Sequence, residues 1–161
     1  MRELDIIIGF YRSDSPSATF LDRLIAWWTK STYSHVEIAV GNKWISVQTD
    51  YIRVLPLDRD KLVELEGNTY DYVVKKIKVT HKQYMDFWQY VYEEMTPKKY
   101  DWLGIFTSQI IKIGVQDNNK WFCSEATCKL LQILGDEKAW RCNPEDMSPG
   151  DLSKIYRGER Y

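Results

Sequence analysis

The stretch TYSHVEIAVGNKWISVQT, Thr32 to Thr49, decides the fold. Two runs rich in β-branched and aromatic residues flank Gly41-Asn42, a pair suited to a tight hairpin turn, so two antiparallel strands are expected. Alternation along the first strand puts Val36, Ile38 and Val40 on one face and His35, Glu37 and Ala39 on the other. The valine and isoleucine face belongs to a core. His35 therefore points to the opposite side, where a helix could cover it. With a two-residue turn His35 stands opposite Gln48, with Ser46 diagonal to it and Glu37 roughly 6.5 Å along its own strand. A turn one residue longer or shorter would turn the second strand over and remove Gln48 and Ser46 from that face.

Working outward, Leu4 to Phe10 reads as a short strand ended by Gly9, and Tyr51 to Leu57 and Tyr70 to Val79 as two more. Ser17 to Lys30 has apolar residues at Phe20, Leu21, Leu24, Ile25 and Trp28, the spacing of an amphipathic helix. Thr80 caps a helix running to about Met95, with Tyr84, Phe87, Trp88 and Val91 on one face. Tyr100 to Ile113 is apolar and helical in pattern, residues 117–120 form a polar loop, and SPGDLSKIY adds one short helical turn. Strands gather in the first half and helices in the second. The expected fold class is α+β, with helices packed on one face of an antiparallel sheet. Without repeats or linkers, residues 1–161 read as a single domain.

Bulk composition narrows the function. The chain is 44% hydrophobic and 28% charged, which suits a folded protein and excludes a disordered one. Its 22 Lys and Arg against 23 Asp and Glu leave no large basic footprint, so no nucleic-acid partner is expected. The apolar run near the N-terminus is too short for a signal peptide, and nothing approaches a membrane span. A cytoplasmic location is expected; a phage-encoded or virion-associated protein would also fit. Three cysteines without a C-x-x-C pair make a poor disulfide framework and read as reduced thiols.

In WFCSEATCKLLQIL, Trp121 to Leu134, Cys123 opens a helix. Free backbone N–H groups and partial positive charge at that end favour a thiolate and can hold an oxyanion. A thiol there suits a nucleophile, if a base stands near; the bland alternative is a cysteine that only fills space. His35 is the candidate base, because His81 reads as a solvent-facing residue of a first helical turn. A catalytic histidine needs an orienting partner. Gln48 is the first choice, Glu37 the next, and Ser46 remains open. Cys128 falls off the Cys123 face of its helix and reads as core, while Cys142 lies in a loop. A zinc site of His35, Cys123 and Cys142 lacks any ligand spacing signature, and neither a metal nor another cofactor is expected.

The combination of YSHVEIAV early, YDWLGIF in the middle and WFCSEATCKLLQ late resembles the circularly permuted branch of the NlpC-type papain-like cysteine hydrolases. That branch includes YiiX-like bacterial and phage proteins, poxvirus relatives and the lecithin:retinol acyltransferase group. The resemblance spans roughly residues 4 to 135. It implies a papain-like antiparallel sheet with helices packed on it, Cys123 as nucleophile and His35 as base. The family's third polar residue falls near Ser46 to Gln48, and Tyr100 and Asp101 match a Tyr-Asp pair that supports the cysteine helix. The function so implied is hydrolysis of amide bonds, of peptide or peptidoglycan-stem type, through an acyl-enzyme. A thioesterase, lipid acyl hydrolase or acyltransferase is the first alternative, and a binding module that kept the fold is the second. The substrate would be a small molecule, a peptide or an acyl group.

Overall fold

The computed structural model describes residues 1–47, 52–95, 99–100, 120–121 and 123–158, with backbone alone for the two pairs. Five antiparallel strands form the main sheet: β1 (Arg2–Arg12), β2 (Tyr33–Val40), β3 (Lys43–Val47), β4 (Ile52–Pro56) and β5 (Tyr70–Val79), in the order β4-β3-β2-β1-β5. The hairpin pairs Ile38 with Ile45, Ala39 with Trp44 and Val40 with Lys43, and Gly41 takes the positive φ that its two-residue turn demands. The register expected from Gly41-Asn42 is therefore the register observed.

Five α-helices are described: α1 (Phe20–Trp28), α2 (Arg59–Glu66), α3 (His81–Gln89), α4 (Cys123–Ile133) and α5 (Pro149–Arg157). The class is α+β. On one side of the sheet, Leu4, Ile6, Ile8 and Phe10 of β1 and Val36, Ile38 and Val40 of β2 form one core with Phe87 of α3, Ala126, Leu130 and Leu131 of α4, and Leu152 of α5. Thr80 caps α3 with a reciprocal Gln83 contact, and π-helical turns carry the chain on to Met95. The SPGDLSKIY segment makes a nine-residue helix rather than one turn, because Ser148 and Asp151 complete a capping box and Gly158 ends it in a left-handed conformation.

Helices do not keep to one face. α2, which sequence periodicity does not reveal, lies across the opposite side, where Leu65 joins Ala39, Trp44 and Tyr70 in a second, smaller cluster. Gly9 does not end β1, which continues to Arg12. Its role is close approach: a Cβ there would meet the Trp44 ring at 2.9 Å, so the missing side chain makes room for that ring against β1.

Two further expectations change. α1 buries only Ala26, and Phe20 stays 82% exposed instead of joining the core. Its cap, Thr19 with Asp22, and a bond from Ser34 Oγ to Asp22 at 3.0 Å fix α1 beside the start of β2, at the rim of the sheet. Lys99–Tyr100 is not the start of a helix but a short strand, β6, paired in parallel with Lys120–Trp121, β7. The rest of the helix expected to Ile113 lies outside the described residues. No helix among the described residues is long and apolar enough to cross a membrane.

Candidate active site

α4 starts at Cys123, directly after β7, and its first turn is buried; Cys123 is 4% exposed. The amphipathic body of the helix, through Ala126, Leu130 and Leu131, fastens it to the core face of the sheet. Ser124 donates its hydroxyl to the Met147 carbonyl, which pins the first turn to the segment preceding α5. The thiol therefore sits at the end of the helix where backbone N–H groups lack intrahelical acceptors.

His35 reaches it from β2, beside an irregularity in that strand. Tyr11 pairs with His35 but Arg12 pairs with Tyr33, leaving Ser34 out of the ladder. This bulge breaks the alternation, so that Tyr33 and Val36 both enter the main core, with Tyr33 packed 5.5 Å from the Phe10 ring. His35, at the bulge, shares a side-chain hydrogen bond with Cys123. Residues far apart in the chain thus meet.

On its other side the His35 Nε2 lies 3.4 Å from Glu37 Oε1. Because Nε2 faces the carboxylate, Nδ1 is the nitrogen left for the sulfur. Burial disfavours the charged imidazole, yet Cys123 and Glu37 outweigh that and hold His35 well above the ordinary histidine range. The coupling is mutual: whatever the thiolate contributes to the imidazolium, the imidazolium returns to the thiolate.

Glu37 is 2% exposed and saturated with donors. Trp44 Nε1 and Tyr70 OH each donate to Oε2 at 2.8 Å, Ser46 Oγ donates to Oε1, and Lys61 Nζ stands 3.4 Å from Oε2. Burial alone would push this carboxyl up, but His35, Lys61 and Ser46 bring it down to about 2. Burial, followed by the Glu37 charge, pushes the Tyr70 phenol far above its ordinary value, so it remains a donor.

Of the three candidate orienting residues, Glu37 is the one the structure sets against His35. Ser46 meets Glu37, and Gln48 lies outside the described residues. So does Asp101, while the backbone of Tyr100 belongs to β6. Trp44, Lys61 and Tyr70 escaped sequence reasoning. Two signals pointed to them: a glycine inside a strand, which marks close approach, and Asp58 with Gly67, which bracket a helix.

His81 is exposed at the first turn of α3, as its place after Thr80 implied. Cys128 is fully buried, and Cys142 meets it rather than Cys123. Burial, then the neighbouring Cys142, pushes the Cys128 thiol up to about 12, the setting of an inert thiol. Among the described residues no group of three or more His, Cys, Asp or Glu is placed to hold a metal ion. The chain matches no protein-family model, no curated protein and no solved structure.

Proposed function

We propose that this protein is a cysteine hydrolase of the permuted NlpC-type papain-like kind, acting on amide bonds through Cys123 and His35, with Glu37 as the orienting residue. The observation that carries the reading is the row Cys123–His35–Glu37, in which a thiol at a helix start and a histidine braced by an ionised carboxylate share one hydrogen-bonded line. The Cys123 thiolate attacks the carbonyl carbon, forming a C–S bond and an oxyanion that the free N–H groups at the start of α4 can accept. As the C–N bond breaks, His35 gives its proton to the departing amine, leaving a thioester. His35 then takes a proton from water, whose oxygen attacks the thioester; the C–S bond breaks, the acid leaves, and the thiolate–imidazolium pair returns. Glu37 stays ionised throughout and holds the ring. These steps call for no cofactor.

One observation favours an acyl substrate as a second reading. Phe20, 82% exposed, and Trp27, 71% exposed, project from α1, the helix tied through Ser34 to the strand that carries His35. An apolar chain leaving the site in that direction would find an apolar surface. A thioesterase, lipid acyl hydrolase or acyltransferase would use the same residues.

Intact-mass spectrometry after incubation with electrophilic peptidyl and fatty-acyl probes tests both. Labelling at Cys123 in the wild type, lost in Cys123→Ala and reduced at least about 100-fold in His35→Ala, is the expected result. Preference between the probes assigns the substrate class. Labelling confined to Cys128 or Cys142 would overturn the enzyme reading.

A further inference from the structure

We propose that Lys61 is a positioning residue for the Cys123–His35 pair, acting through Glu37 from the opposite side of the sheet; the proposal rests on the nucleophilic reading of Cys123. Lys61 belongs to the first turn of α2, and the helix cap fixes that residue, since the Asp58 carboxylate accepts the Lys61 backbone N–H at 3.0 Å. From there its ammonium reaches two rings. Nζ lies 4.6 Å from the Trp44 ring centroid and 4.7 Å from that of Tyr70, with Glu37 Oε2 at 3.4 Å. The side chain is 16% exposed. A lysine is rarely held so closely unless its charge is matched.

The charges on the two layers explain the match. A thiolate–imidazolium pair is neutral overall, so an ionised Glu37 would leave one uncompensated negative charge in a closed space, which is costly. Lys61 removes that excess. Among the described residues, the groups that face Glu37 are His35 on β2, Trp44 and Ser46 on β3, Tyr70 on β5 and Lys61 on α2, while β1 presents Gly9. Behind them stand Cys123 on α4, Tyr11 on β1, and Glu64, whose carboxylate lies 2.9 Å from Lys61 Nζ and is 41% exposed. Lys61 is the one cation in that set besides protonated His35. Glu64 is the more exposed of its two carboxylate partners, so water screens it more strongly and its hold on the lysine is weaker.

Removing the lysine charge therefore makes Glu37 easier to protonate and, through that weakened hold on the imidazolium, the thiolate–imidazolium pair harder to form. Both changes move the acid limb of Cys123 reactivity toward higher pH. The experiment is site-resolved alkylation of Cys123 by iodoacetamide from about pH 4 to about pH 9, with folding checked by circular dichroism. Wild type is compared with Lys61→Met, Lys61→Arg, Glu37→Gln and the double variant Glu37→Gln/Lys61→Met. Lys61→Met is expected to raise the acid limb by about one pH unit, and Lys61→Arg to restore it. In the Glu37→Gln background the lysine substitution should move nothing further, the signature of action through Glu37.

An unmoved limb in folded Lys61→Met, a fall in rate without a shift, or an equal shift in both backgrounds overturns the inference. Lys61→Gln gives the same reading if the methionine variant does not fold. Wild-type Cys123 that reacts like an ordinary thiol, indifferent to His35→Ala, would sink the nucleophile reading itself and this inference with it, a pattern distinct from the other three.

Discussion

The two faces of β2 are built on opposite plans. Val36, Ile38 and Val40 enter an apolar core with residues of α3, α4 and α5. His35, Glu37 and Ala39, one residue out of step, enter a layer where a charge is buried. Apolar burial is undirected and scales with area, so the first face accepts many packings of similar volume. A buried carboxylate accepts few. Each donor to Glu37 comes at a set angle, and removing any of them leaves an unmatched polar group. The apolar face makes a place for the helix that carries Cys123; the polar face sets the charge state of the histidine that meets it.

The comparison breaks most sharply under truncation. Glu37→Ala removes an acceptor from Trp44, Ser46 and Tyr70 and a charge partner from Lys61, and should cost about 3–5 kcal/mol. Ile38→Ala on the neighbouring position should cost about 2–5 kcal/mol through the cavity it leaves. Urea unfolding measures both. Similar losses of stability with different chemistry are the expected outcome: Cys123 alkylation near neutral pH should fall in Glu37→Ala and hold in Ile38→Ala.

Acidity separates the faces next. Glu37 is held at about 2 against an ordinary 4.5, so its contribution is complete above the unfolded value and fades as pH falls from about 5 toward about 2. About 3 kcal/mol should be lost over that range. Glu37→Gln should flatten this dependence in urea titrations at stepped pH, whereas Ile38→Ala should lower the curve without changing its slope. His35 works in the other direction. Its raised value gives stability that is complete below about 6.5 and declines as pH climbs through the folded value.

The smallest expected effect is at Gly9. An alanine there would press on the Trp44 ring and should cost about 1–3 kcal/mol in thermal unfolding. It would also shift a donor to Glu37, so Cys123 reactivity should decline in step with stability.

Much of this arrangement could be read from residue order. The hairpin, its register, the Tyr70–Val79 strand, the Thr80 cap and the face shared by His35 and Glu37 all follow from local patterns of period two, turn chemistry or capping. What local pattern misses is contact between distant segments. α2 carries RDKLVELE, with Leu65 its only buried residue, so it shows almost no apolar stripe. Glu37 ranked below Gln48 because strand geometry measures only neighbours on the sheet. The choice turned on donors from α2, β3 and β5, which no spacing in the chain reveals. The bulge at Ser34 is equally silent, although it turns Tyr33 into the main core beside Val36. For α1, the amphipathic stripe is present in the residues, but its place at the rim leaves Phe20 and Trp27 outside.

The order of segments has a consequence for the newly made chain. His35, Glu37, Trp44, Ser46, Lys61 and Tyr70 all leave the ribosome well before Cys123 does. His35 and its bracing can take shape while the sulfur is still untranslated. Under the proposed nucleophile role, reactivity would arrive only when α4 docks, and a polypeptide interrupted before that point would carry no armed thiol into its surroundings.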